Sequence, residues 1–293
     1  MIEADVEVYR SPGRRACEER AFVLGALAIP CTLVLRAGEY RLEVPPAEAE
    51  RARAHLRQYE LENRSAPAPP PPPPPMPHAW VGCGLYAAWL LAVPYAISHG
   101  LVRLDAFRVG ELHAAAVQGG QWWRAWTALT LHLSGPHLAA NLGAGLWFGY
   151  LAGQQLGVGT AWLLIVLGAG FANLVEAFAG PPWYRSAGAS TAVFTALGLM
   201  SAHTWRWRAH PRQSWVQRFS PLAAGVILLG WLGTAGKHTD VVAHLLGFTM
   251  GVLLGWLAAS PAIDARLRRL PQWPAGLAAL AILALAWGLA LAS

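Results

Sequence analysis

Four polar side chains stand in long apolar runs of this 293-residue chain: His137, Asn141, Ser190 and His244, with His132 just ahead of the first. A serine becomes a nucleophile only when a base takes its proton, and a neutral imidazole does this near physiological pH. His137 and Asn141 are four apart, hence on one helix face, and each can donate a hydrogen bond to a developing oxyanion. Ser190 opens an apolar run within Gly188-Ala-Ser190-Thr191. A helix N-terminus there presents free N–H groups and the positive dipole end to the same charge. Nucleophile, base and oxyanion donors are all present. The one carboxylate near the histidine is Asp240, four residues before His244 and expected at the water boundary, so the pattern reads as a Ser/His dyad. A metal site made of His132, His137 and His244 is the competing chemistry. The apolar runs hold no HExxH and no carboxylate at ligand spacing, which leaves zinc-protease chemistry poorly supported.

Those residues need a scaffold that sets them at one depth. The chain is 55% hydrophobic and 13% charged, with net charge +6, about half the charge of a typical soluble domain. That excludes disorder and a basic nucleic-acid-binding domain. Residues 1–78 hold 10 Arg and 11 acids, and residues 79–293 hold the other 12 Lys or Arg and 5 acids. Seventeen charges over 215 residues cannot solvate a globular surface, so the second part is a membrane domain. Seven apolar runs follow, near 79–98, 137–156, 159–179, 188–203, 219–236, 239–259 and 273–292. Arg206, Arg208, Arg212 and Arg218 precede the fifth, and Arg266, Arg268 and Arg269 precede the seventh. By the positive-inside rule both loops are cytoplasmic. Every even-numbered span then starts at the outer side, which puts His137, Asn141, Ser190 and His244 in the outer part of the membrane.

Two connections are unusual. The fourth run has only 16 residues, roughly 24 Å, so its outer start is expected to be recessed. The stretch 99–136 contains Leu112–Val117 and Trp122-Trp123-Arg124-Ala-Trp126, amphipathic segments suited to the interface, with the guanidinium expected among the indoles through cation–π contact. Gly247, Gly251 and Gly255 make two small-xxx-small steps on the His244 run, and such small residues allow close helix approach. Asn173 and Glu176, near the outer end of the third run, are read as structural partners of the loop at 180–187, with Arg185 the expected contact.

The first part reads as a small β-α-β-β-α domain: strands at Val6–Tyr9, Cys31–Arg36 and Tyr40–Val44, and helices at Arg15–Ala28 and Ala47–Glu60. The apolar positions of the first helix include Ala16, Phe22, Val23 and Leu27, and Leu56 and Tyr59 face inward on the second. It carries no nucleophile and no paired catalytic carboxylates, so it is expected to regulate or dock. Its acidic start lacks the apolar core of a signal peptide, which predicts a cytoplasmic location. Nine prolines between 67 and 77 form a polyproline spacer. Cys17, Cys31 and Cys83 show no CxxC or zinc spacing and are read as reduced. The expected division is 1–64 for the α+β domain, 65–78 for the linker and 79–293 for the membrane domain.

In this order the signatures resemble the rhomboid family of intramembrane serine proteases. The residues that carry the likeness are Trp123-Arg124, His132-x4-His137-x3-Asn141, Gly188-Ala-Ser190-Thr191 with Gly198, and Ala243-His244-x2-Gly247-x3-Gly251. The resemblance implies an all-α polytopic domain of six helices plus one, preceded here by the small α+β domain. It implies Ser190 as nucleophile, His244 as base, and an oxyanion hole from His137, Asn141 and the Ser190 backbone N–H. Where the family often has Gly after the nucleophile this chain has Thr191, and where it often has Tyr one turn on this chain has Phe194. The expected activity is cleavage of transmembrane segments near their outer end, in a bacterial inner membrane, with no cofactor, no metal and no nucleic-acid partner. The alternative is an inactive rhomboid-like protein that binds membrane clients.

Overall fold

A computed structural model describes residues 4–63, 73–101, 105–207, 214–233 and 240–293. The chain divides into two compact units, Met1–Pro69 and Pro70–Ser293. The polyproline run falls largely outside the described residues, as do Arg208 and Arg212 of the basic loop.

The first unit runs β1 (Val6–Ser11), α1 (Arg14–Ala26), β2 (Thr32–Arg36), β3 (Glu39–Val44) and α2 (Ala49–Glu62). The sheet is antiparallel in the order β1-β3-β2, with Val6 opposite Val44 and Leu33 opposite Leu42. Ala37 and Gly38 both take positive φ, 51° and 82°, the geometry of a tight two-residue hairpin. Leu24, Ile29, Leu42, Val44, Ala52 and Leu56 form the core under the two helices. Phe22 does not join them and is 79% exposed. The inward stripe of α1 is Cys17, Ala21 and Leu24, at helical spacing, and Phe22 lies one residue round from it.

Among the described residues the second unit contains seven helices of 18–22 residues at the positions of the seven apolar runs: α3 (Ala79–Ser98), then, after short helices α4 (Ala106–Gly110), α5 (Ala114–Gln118) and α6 (Arg124–Thr127), α7 (Gly135–Leu156), α8 (Val158–Ala179), α9 (Ser190–Trp207), α10 (Trp215–Gly233), α11 (Val241–Ala258), the short α12 (Pro261–Arg269) and α13 (Trp273–Ala292). A two-stranded pairing, β4 (Leu112–His113) with β5 (Arg185–Ser186), ties the first loop to the one before α9. Of the long helices, α3, α8, α11 and α13 are long and apolar enough to cross a membrane. The other three carry more polar residues. α9 can do so because protein surrounds it: every residue from Thr191 to Leu199 is buried.

α9 lies against α7, α8, α10 and α11, and its closest neighbour is α11. A β-carbon on Gly251 would stand 2.1 Å from the Thr195 carbonyl oxygen, and one on Gly255 equally close to that of Leu199. From the other side, a β-carbon on Gly198 would stand 2.2 Å from the Phe248 carbonyl. The two backbones touch because neither helix has a side chain there, the outcome that small-xxx-small spacing allows.

The fourth run is longer than its apolar core. α9 has 18 residues, about 27 Å, because it continues to Trp207. Its extension is held by an ionic cluster: His203 Nε2 lies 3.1 Å from Asp264 Oδ1, and Arg268 Nε donates to Asp264 Oδ2 at 3.1 Å. Arg268 also donates to the Gln155 carbonyl at 2.7 Å, joining α12 to the end of α7. Asp264 is 3% exposed. Asp264→Ala should therefore leave His203 and Arg268 without their carboxylate partner and lower stability by about 1–3 kcal/mol, measured by denaturant unfolding in detergent. An unchanged midpoint would contradict this role for the cluster.

Candidate active site

Ser134 caps α7, its Oγ accepting from the His137 N–H at 3.3 Å, and Pro136 occupies the first turn. This cap fixes where α7 starts, and so where His137 points. Asn141 follows one turn later and is 6% exposed. Its Nδ2 is buried with no acceptor among the described residues, while its backbone carbonyl accepts from Tyr86 Oη at 2.9 Å. α3 continues from Tyr86 to Ser98, twelve residues or roughly 18 Å, so Asn141 lies well inside the length of that apolar helix.

The segment leading into α9 is pinned from the first loop. The Gly188 N–H donates to the Ala128 carbonyl at 2.9 Å, and the Ala189 N–H donates to His132 Nε2 at 3.4 Å. Gly188 has φ +155° and no room for a side chain, since a β-carbon there would meet His137 Cε1 at 2.8 Å and Nε2 at 3.0 Å. The Ser190 Oγ is 3.6 Å from that same point. Hydroxyl and imidazole thus face one small volume beside Gly188.

His132 accepts through Nε2, which requires a neutral ring. Burial pushes its pKa down to about 4, helped by His137, whose ring centroid is 5.2 Å away. With the folded value below the unfolded one of 6.5, the stability it confers is complete above that pH and lost as pH falls toward 4. Wild type should accordingly lose thermal stability between about pH 7 and pH 4.5 more steeply than His132→Gln, which keeps an acceptor without the titration. Parallel pH profiles would remove this role.

His244 occupies the first turn of α11 and is 5% exposed. Its ring packs on Phe194 with centroids 4.5 Å apart, and Phe194 is one turn after Ser190 on α9. Thr191 sits in the notch of Gly247, where a β-carbon would come 2.6 Å from its carbonyl oxygen. The α11 start is anchored by Asp240, whose Oδ1 accepts from the Ala243 N–H at 3.1 Å and whose Oδ2 accepts from Tyr184 Oη. Both carboxylate oxygens are thereby engaged.

Three loop expectations change. Arg124 makes no cation–π contact among the described residues. It is buried and donates to Gln121 Oε1 at 2.6 Å and to the Glu111 and Arg108 carbonyls at 3.0 Å each. A guanidinium with five donors gathers carbonyls where a loop turns on itself, and that decides its place over the indoles. Trp123 is half-buried against the core nearby. Arg185 pairs with Glu111, not Glu176. Asn173 donates to the Ala125 carbonyl at 2.8 Å, bonding the first loop rather than residues 180–187. Tyr86, Tyr184 and the Ala128 carbonyl all fix site residues and carried no sequence signal beyond Tyr86 being a hydroxyl in an apolar run. Among the described residues no three His, Cys, Asp or Glu gather closely enough to hold a metal ion.

The family model for the rhomboid domain matches residues 119–261, an interval that includes His132, His137, Asn141, Ser190 and His244. The chain is 37% identical over 91 residues to rhomboid protease GluP of Bacillus subtilis, covering 31% of this chain and 18% of that protein. It is 30% identical over 146 residues to rhomboid-like protease 3 of Toxoplasma gondii, 50% of this chain and 55% of the relative. It is 31% identical over 146 residues to the chloroplastic rhomboid-like protein 11 of Arabidopsis thaliana, 46% of this chain and 52% of the relative. The chain thus spans about half the length of these curated relatives, or less. Residues 119–261 thus match a rhomboid domain, carried by a chain whose described residues include four helices long and apolar enough to cross a bilayer.

Proposed function

We propose that this chain is an intramembrane serine endopeptidase that cuts transmembrane segments of other proteins near their outer end. In this reading Ser190 Oγ attacks the scissile carbonyl carbon while His244 takes its proton. The oxyanion of the tetrahedral intermediate is held by His137, Asn141 and the Ser190 N–H at the start of α9. Collapse breaks the C–N bond as His244 returns the proton to the leaving amine. Water then attacks the acyl-enzyme with His244 again as base, releasing the acid and restoring the serine. Stabilising the oxyanion is ordinarily worth about 10²–10³ in rate per donor.

One observation carries the reading: Ser190 Oγ and His137 Nε2 lie 3.6 and 3.0 Å from a single point at Gly188, while Phe194 and Thr191 on the same helix hold His244 and Gly247. The buried, unpaired Asn141 Nδ2 supplies a donor of the kind a developing negative charge needs. α7 and α10 are the helices we expect to part for the substrate. The first unit is taken to face the cytoplasm and the site the outer side of a bacterial inner membrane. The alternative, a client-binding protein without activity, draws on Thr191, whose side chain fills the Gly247 notch at 3.1 Å.

Purified full-length protein in liposomes should cleave a model transmembrane substrate carrying a helix-destabilising segment, and Ser190→Ala should not. Folded wild type that binds the substrate without cutting it would favour the client-binding alternative.

A further inference from the structure

Below the site, α3, α8 and α13 enclose a cavity of about 490 Å³, within the size range of small-molecule pockets. Its wall on α3 runs from Val81 to Leu90 and on α13 from Trp273 to Leu283. Either stretch is about 15 Å of helix, the depth of one leaflet in a hydrocarbon core of about 30 Å. The deep end is closed by Ala189 and Ala192, which flank Ser190. His78 and Gln272 line the cavity where α3 and α13 begin, the end we take as its mouth. Gln272 Oε1 accepts from the Thr160 N–H at 3.1 Å, fixing the starts of α8 and α13 side by side.

The hydroxyls in the wall are already used: Tyr86 Oη donates to the Asn141 carbonyl and Thr130 Oγ1 to that of Thr127. What remains is apolar, apart from the indole N–H groups of Trp89 and Trp162, both buried without an acceptor among the described residues. At the mouth end, α12 carries a basic last turn. Arg268 is turned inward to Asp264 and the Gln155 carbonyl. Arg266 and Arg269 are exposed and make no ion pair among the described residues. A pocket one leaflet deep, entered beside unpaired arginines, matches an amphiphile with one anionic end.

We propose that this cavity takes one acyl chain of an anionic phospholipid, from the leaflet in which α3, α8 and α13 begin, with the phosphate at Arg266 and Arg269. The chain would pack behind the start of α9, and the glycerol esters would offer acceptors to the wall.

The test uses full-length protein in phosphatidylcholine nanodiscs containing a small fraction of phosphatidylglycerol with a photoreactive group near the end of one chain. Crosslinking should saturate at one lipid per protein and map to Leu85, Leu90 and Leu280. Gly276→Phe, which fills the cavity from a position where a β-carbon meets only Gly159 at 3.7 Å, should lower that labelling about tenfold. Arg266→Gln combined with Arg269→Gln should remove about tenfold of the preference for phosphatidylglycerol over the same probe on phosphatidylcholine. Unsaturable labelling, spread equally over exposed residues such as Ile227 and Trp231 of α10, would overturn the site. Saturable labelling with no preference between the two headgroups would overturn the anionic assignment. Should Gly276→Phe fail to fold, saturation in wild type and the arginine pair decide the question.

Discussion

His244→Ala should lower the rate of peptide-bond cleavage by about 10⁴–10⁶-fold, the loss that follows removal of the base from a serine nucleophile that works as a unit with it. The fold should survive. The imidazole is buried against Phe194, so its removal opens a cavity and costs about 1–3 kcal/mol, but α11 stays pinned to α9 through Gly247, Gly251 and Gly255. Rates are to be measured in liposomes alongside the thermal midpoint, so that chemistry and stability separate. Adding Ser190→Ala to the variant should cause little further loss, because members of a catalytic unit are not additive. A His244→Ala protein that retains a tenth of the wild-type rate would show that another group takes the proton.

Gly251→Val should damage the fold where α9 and α11 meet. Its β-carbon would stand 2.1 Å from the Thr195 carbonyl and 2.9 Å from the Leu199 nitrogen. Both are backbone atoms, so no side chain can swing away, and α9 and α11 must separate. Overpacking of this kind costs about 1–3 kcal/mol and more where backbone blocks relaxation. For a chain of this size that corresponds to a fall of roughly 5–10 °C in the thermal midpoint. Activity should fall further than stability, because the proposed nucleophile and base ride on the two separated helices. Gly288→Val is the control: nothing lies within 4 Å of a β-carbon there, and its midpoint should stay near that of wild type.

The order of long helices and the candidate site residues were legible in the sequence for a physical reason. Polar groups in apolar runs are costly, so His137, Asn141, Ser190 and His244 stand out without an alignment, and small residues at fixed spacing mark where α9 and α11 meet. The α+β elements of the first unit followed from alternating period and from the Ala37-Gly38 turn. Less legible was everything that depends on pairs far apart in the chain. Arg124 finds the carbonyls of Glu111 and Arg108, Arg185 finds Glu111, and His203 finds Asp264, none of which leaves a periodic trace. The basic run Arg266–Arg269 reads as a side marker, although Arg268 is spent on a buried carboxylate. α9 outruns its apolar core because that buried cluster carries it to Trp207. Phe22, apolar but 79% exposed, shows that apolar residues adjacent in sequence cannot all face inward on one helix.

The most direct measurement is covalent labelling of Ser190. Full-length protein in lipid is treated with a fluorophosphonate probe, digested and mapped by mass spectrometry. The account predicts one adduct, on the peptide containing Ser190, absent from Ser190→Ala and strongly reduced in His244→Ala. Folded wild-type protein that takes no label, or that takes it undiminished in Ser190→Ala, would contradict the assignment of Ser190 as the nucleophile.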